Sequence, residues 1–117
     1  MLFRIDPDSD IGLADQIAGQ VRGALVAGHL LPGAKLPPAR EVATGLAINM
    51  HTVLRAYSQL RDEGLIELRR GRGAQVRADV DVRAVGLDQQ IRDLLEAASR
   101  LGLDTDQVVD QIRKVSS

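Results

Sequence analysis

Apolar residues return along this chain at helical intervals, with one short β-like stretch between them, and the order of those patterns predicts its elements. Ile17, Val21 and Leu25 stand at i, i+4 and i+8, the spacing of one helix face, and Gly28 closes that run. Pro32-Gly33 marks a turn, after which Lys35-Leu36 extends into Pro37-Pro38. A second helix begins at Pro38 or Ala39, where a proline's missing amide costs nothing, and runs to Leu46. Only Ala47, Ile48 and Asn49 separate it from a third. Asn49 can cap that helix, Val53, Ala56, Tyr57 and Leu60 share its buried face, and Gly64 stops it. Residues 65–69 and 74–77 read as two short strands around an Arg70-Gly71-Arg72-Gly73 tip, whose glycines accept positive φ.

The two ends of the chain are patterned differently. Alternation in Leu2-Phe3-Arg4-Ile5 predicts a short strand ahead of a turn-rich acidic segment, Asp6-Pro7-Asp8-Ser9-Asp10. From Leu87 a helical stripe runs through Ile91, Leu94, Leu95, Ala98 and Leu101 to Gly102. Asp104 then caps a last helix, with Gln107 placed to close a capping box and Val108, Val109, Ile112 and Val115 as its stripe.

Two helices joined by a three-residue turn form a helix-turn-helix pattern, and a basic hairpin directly after it makes a winged helix. The expected fold is therefore mainly α with a small β-hairpin: a winged helix-turn-helix domain over residues 1–78, followed by a two-helix C-terminal segment over residues 79–117. Two helices cannot hide the tail's stripes from water without a further surface. A second copy supplies one most economically, making residues 79–117 a dimerisation segment; packing of Leu87 to Leu101 against the first helix is the competing reading.

Composition changes the picture through charge. The chain of 117 residues has a net charge of −1. Residues 1–34 hold two basic side chains against four acids, residues 35–77 eight against four, and residues 78–117 five against eight, so net charges of −2, +4 and −3 follow along the chain. Arg69, Arg70, Arg72 and Arg77 lie together with no acid among them. A polyanion belongs on the middle third. With one Phe, one Tyr and no Trp, a stacking platform for single strands is not expected. The absence of cysteine excludes disulfides and zinc-thiolate sites and suits a reducing cytoplasm. No apolar run approaches the roughly 20 residues that cross a bilayer, and Met1 to Asp6 lack the shape of a signal peptide, so a cytoplasmic protein without a membrane partner is expected.

Candidate chemistry adds little to this. His29 lies far from any residue with metal-ligand spacing, no nucleophile is paired with a base, and the wing tip is not followed by the Gly-Lys-Ser/Thr of a nucleotide loop. No catalytic or metal residue, cofactor or small-molecule effector is assigned.

The residues Gly28-x-Leu30-x-Pro32-Gly33-x-Lys35-Leu36-Pro37, Arg40-Glu41-Val42-Ala43, Asn49-x-x-Thr52-Val53-x-Arg55-Ala56-Tyr57-x-x-Leu60, Glu63-Gly64-Leu65-Ile66 and Arg70-Gly71-Arg72-Gly73-x-x-Val76 resemble the DNA-binding domain of the GntR family of bacterial transcription regulators. The form of the third helix and the short acidic tail look YtrA-like. The resemblance implies that Arg40 touches DNA from the second helix, that Asn49 and Thr52 hold phosphates, that His51 and Arg55 meet bases or phosphates, and that Arg70-Gly71 reaches the minor groove. Lys35, Met50, Arg69 and Arg72 complete the candidate DNA-facing set; Leu87, Ile91, Leu94, Leu95, Ala98, Leu101, Val108, Val109 and Ile112 form the candidate dimer face. Two departures stand out. Pro37-Pro38 replaces the family's Pro-Ser, and Met50-His51 stands where relatives have Arg or Pro-Asn, so base preference does not carry over there.

The resulting expectation is a dimeric regulator, a repressor, that occludes a promoter by binding double-stranded DNA at a palindromic operator. The alternative is a winged-helix module that has lost DNA binding and meets an acidic protein; an enzyme is the weakest of the three readings.

Overall fold

A computed structural model describes residues 1–117. Its elements run α1 (Leu13–Val26), α2 (Ala39–Leu46), α3 (Met50–Asp62), β1 (Ile66–Arg69), β2 (Gly73–Val76), α4 (Val82–Arg100) and α5 (Thr105–Ser116). Contacts divide the chain into two compact units, Met1–Val82 and Arg83–Ser117. Helix α4 starts ahead of the stripe that begins at Leu87, directly after Asp81, a residue type favoured at helix starts.

In the first unit α3 is central, packed against α1, α2 and β1. Ile17, Val21 and Leu25 of α1, Val53, Ala56, Tyr57 and Leu60 of α3, and Ile66 and Val76 of the hairpin are almost completely buried, so the stripes read for α1 and α3 are core faces. Burying each large apolar side chain contributes about 1.5–3 kcal/mol, and α3 alone supplies four of these nine positions. Losing α3 would therefore open the core as well as the site.

Helices α1 to α4 all end in the same way. The amides of Gly28, Ala47, Gly64 and Gly102 turn back to carbonyls three residues earlier, and the next amide in each case reaches five residues back, which is the Schellman arrangement. That arrangement requires a left-handed residue, and at the end of α2 the residue is Ala47, with φ 54° and ψ 45°. Ala47 thereby sets the corner of the helix-turn-helix.

The hairpin pairs antiparallel with Ile66 opposite Val76 and Arg69 opposite Gly73. A third edge flanks it: Lys35 bridges Gln75, and the amides of Gly33, Leu36 and Val76 bond Val76, Ala74 and Ala34 carbonyls at 2.8–3.0 Å. The expected N-terminal strand is absent. Phe3 is buried, but the Arg4 amide and carbonyl are both taken by the Gln20 carboxamide, and Gln16 does the same for Asp6, so side chains of α1 replace a partner strand.

In the second unit α5 opens with the expected capping box: Asp104 accepts from the Gln107 amide and Gln107 accepts from the Asp104 amide, both at 2.9 Å. Between α4 and α5 lies an almost wholly apolar cleft of about 430 Å³, lined by Leu94, Leu101, Leu103, Ile112 and Val115 among others. Leu87, Ile91, Leu94, Leu101, Val109 and Ile112 are exposed in the single chain and Leu95 is half-buried, whereas Ala98 and Val108 are already buried. No helix is long and apolar enough to cross a membrane.

Candidate nucleic-acid interface

The N-terminus of α3 is built by Asn49, whose extended backbone lets its side-chain oxygen accept from the His51 amide at 2.8 Å. The carboxamide nitrogen remains available, and the helix directs its positive end at the same place, a combination suited to an anion such as phosphate. Because Val53, Ala56, Tyr57 and Leu60 are held inward, His51, Leu54 and Arg55 are left outward, with Met50 and Thr52 half-buried beside them. Tyr57 pins the helix to the segment preceding α2 by donating to the Pro37 carbonyl at 2.6 Å, and burial pushes its hydroxyl pKa up to about 12.

On α2, Arg40 is exposed in the first turn, where a cation is disfavoured by the helix dipole and where Glu41 provides the compensating charge. Arg40, Ala43, Thr44, Ala47, Ile48 and Met50 line an open depression of about 530 Å³ at the corner between α2 and α3. Lys35 is exposed on the edge beside β2.

The wing arginines divide into two kinds. Arg69 is held by Glu67 at 2.9 Å, and Arg77 by Asp79 at 2.8 Å. The latter pairing holds the Asp79 carboxyl below the usual carboxylate range and raises the already high guanidinium value. Arg70 and Arg72 sit at the exposed tip on either side of Gly71 (φ 78°) and make no ion pair; nor do Arg40 and Arg55. None of these four guanidinium groups has a counter-charge within the chain. Exchanging the Arg69 partner for a phosphate would also cost little, since an exposed pair is worth about 0–1 kcal/mol.

Sequence reading missed the interaction that orients α3 at its other end. Arg22 is the one buried charged residue, and its guanidinium grips Glu63, at the C-terminus of α3, with contacts of 2.6 and 3.1 Å. The Gln59 carboxamide, assigned with its oxygen toward Arg22 (3.0 Å), donates to Asp15 (3.2 Å) and ties the pair to the start of α1. The signal was present: Arg22 lies on the Ala18, Val21, Leu25 face, where a charge demands a partner.

Comparison with known proteins finds the same family and fold. The model of the bacterial regulatory proteins of the gntR family matches residues 13–76. The HTH-type transcriptional repressor YtrA of Bacillus subtilis is 31% identical over 99% of this chain and 93% of its own length. Among solved structures, YtrA from Sulfolobus acidocaldarius, a GntR-family transcription factor, is 33% identical over 97% of this chain and 96% of that one, with a TM-score of 0.62. The AraR DNA-binding domain in complex with operator ORX1 covers 64% of this chain and 92% of its own, at 26% identity and a TM-score of 0.55. The chain belongs to the GntR family of bacterial regulatory proteins, among its short YtrA-like members.

Proposed function

We infer that this chain is a sequence-specific DNA-binding transcription regulator, a cytoplasmic homodimer that represses by occupying a palindromic operator. The observation that carries the reading is the set of four exposed arginines without acid partners: Arg40 on α2, Arg55 on the outward side of α3, and Arg70 and Arg72 at the wing tip. The likeness to a DNA-binding domain described with its operator supports it, and the repressor role of the Bacillus subtilis relative supports its sign.

In this reading α3 lies in the major groove with His51, Arg55 and Met50 toward base edges. Asn49 and Thr52 hold a phosphate at the helix start, Arg40 a second, and Arg70-Gly71-Arg72, with Arg69 and Lys35 behind them, follows the backbone into the minor groove. Two copies joined by α4 and α5 present two such surfaces to the halves of a palindrome. The apolar cleft between those helices, and the exposure of Leu87, Ile91, Leu94, Leu101, Val109 and Ile112, support a second copy as its cover.

The test is selection of bound genomic fragments by the purified chain, followed by titration of the recovered duplex against salt. Three phosphate-neutralising arginines per protomer, Arg40, Arg70 and Arg72, and two protomers give an expected slope of log K against log salt of about −5, or a loss on the order of 10³ between about 50 and 200 mM. A slope near zero, or recovery of no common fragment, would sink the reading.

A further inference from the structure

Met50 occupies the first position of α3, next to the capping Asn49 and the outward His51, where a major-groove helix meets base edges. Its side chain offers a base neither a donor nor a strong acceptor. It is half-buried, and it lines the depression at the helix-turn-helix corner with Ala43, Thr44, Ala47 and Ile48, while Arg40 lines the same depression and brings a charge for the backbone. The left-handed Ala47 turns the chain there and places Ile48 and Met50 at one hollow.

Each base edge in the major groove carries hydrogen-bonding groups, except that thymine adds a C5-methyl group. Against guanine, or against the amino group of cytosine or adenine, Met50 would bury polar atoms without partners, which is penalised. Against a thymine methyl it loses nothing and gains apolar burial, and its flexible thioether can follow the methyl as the helix settles. Resting on the DNA-binding reading above, we propose that Met50, with Ile48 and Ala47 behind it, forms an apolar cup that reads the C5-methyl of one thymine in each half-site. Specificity at that base pair is then set by a methyl group instead of a hydrogen bond.

The experiment replaces each thymine of the selected duplex by uracil, one position per half-site at a time; uracil keeps every hydrogen-bonding group and removes only the methyl. One position is expected to weaken binding about four-fold per half-site, the equivalent of one buried methyl group. Met50→Ala, folded by circular dichroism, should bind the thymine and uracil duplexes equally. Met50→Arg should shift the preferred base at that position from thymine to guanine, because arginine pairs with guanine O6 and N7. Binding that is indifferent to uracil at every position, or a uracil penalty that survives Met50→Ala, overturns the proposal while leaving DNA binding standing. Failure to retain any duplex defeats the underlying reading, and this one with it.

Discussion

Ala47 is an alanine in a conformation that alanine avoids. A left-handed L-residue costs about 1–2 kcal/mol, because its Cβ crowds the following carbonyl, and the other three helices ending in this arrangement use glycine there. Ala47→Gly relieves that crowding and surrenders about 0.4–1 kcal/mol through the freer unfolded chain, so a net gain of about 0.5–1 kcal/mol in urea unfolding is expected. A loss of stability would mean the turn is not left-handed. Tyr57 gives a second test at this scale. Its buried hydroxyl is neutral in the folded state, with its pKa raised from 10.0 to about 12. The stabilisation tied to that proton is whole below about pH 10 and disappears as the pH climbs through about 12. Tyr57→Phe should remove this alkaline loss and, by leaving the Pro37 carbonyl unpaired, cost about 1–2 kcal/mol at neutral pH. If the variant keeps the wild-type slope between pH 10 and 12, another group is titrating.

At the scale of elements, α3 is fixed by Tyr57 to Pro37, just ahead of α2, and by Glu63, at its C-terminus, to Arg22 of α1. Removing one partner of the Arg22–Glu63 pair leaves a desolvated charge, which in fully buried pairs costs about 3–5 kcal/mol. The Glu63 side chain is 24% exposed, so Arg22→Ala is expected to cost about 2–3 kcal/mol in chemical unfolding, with Arg22→Met milder when combined with Glu63→Leu. A double variant as unstable as the sum of its singles would show the pair to be uncoupled. Elements marked by repeated apolar positions, caps or turn residues were legible in the sequence: α1, α3, the hairpin and α5 lie where their stripes, caps and glycines put them, and α2 begins where its proline start put it. What escaped is held by single polar side chains. The N-terminal segment alternates like a strand, yet its partner is the Gln20 amide, which no periodicity announces. The edge at residues 33–36 is held instead by backbone hydrogen bonds to β2, over a run too short to alternate. Among the candidate DNA-facing residues, exposure of Lys35, Arg40, His51, Arg55 and the wing tip agrees with the amphipathic reading. The engagement of Arg69 by Glu67 and of Arg77 by Asp79 did not show in a count of arginines, because the acids lie two positions away.

The whole molecule raises the question of what covers the tail. Ile112 is half exposed and borders the apolar cleft between α4 and α5, so a charge there alters a surface of the single chain without entering a packed core. Ile112→Asp is therefore expected to leave helix content and the first unit intact, while placing an unpaired carboxylate in any interface that buries it, at a cost of several kcal/mol. Light scattering at micromolar concentration should report a dimer for the native chain and a monomer for the variant. Linked half-sites bind more tightly than separate ones through effective concentration alone. The monomer should thus lose roughly 10²–10⁴-fold in affinity for the full palindrome, yet match the native chain on an isolated half-site. A native chain that scatters as a monomer, or a variant that keeps full palindrome affinity, would place the partner of this cleft somewhere other than a second copy. Equal loss on palindrome and half-site would instead locate the damage in α3 and the wing, and circular dichroism of the variant separates the two.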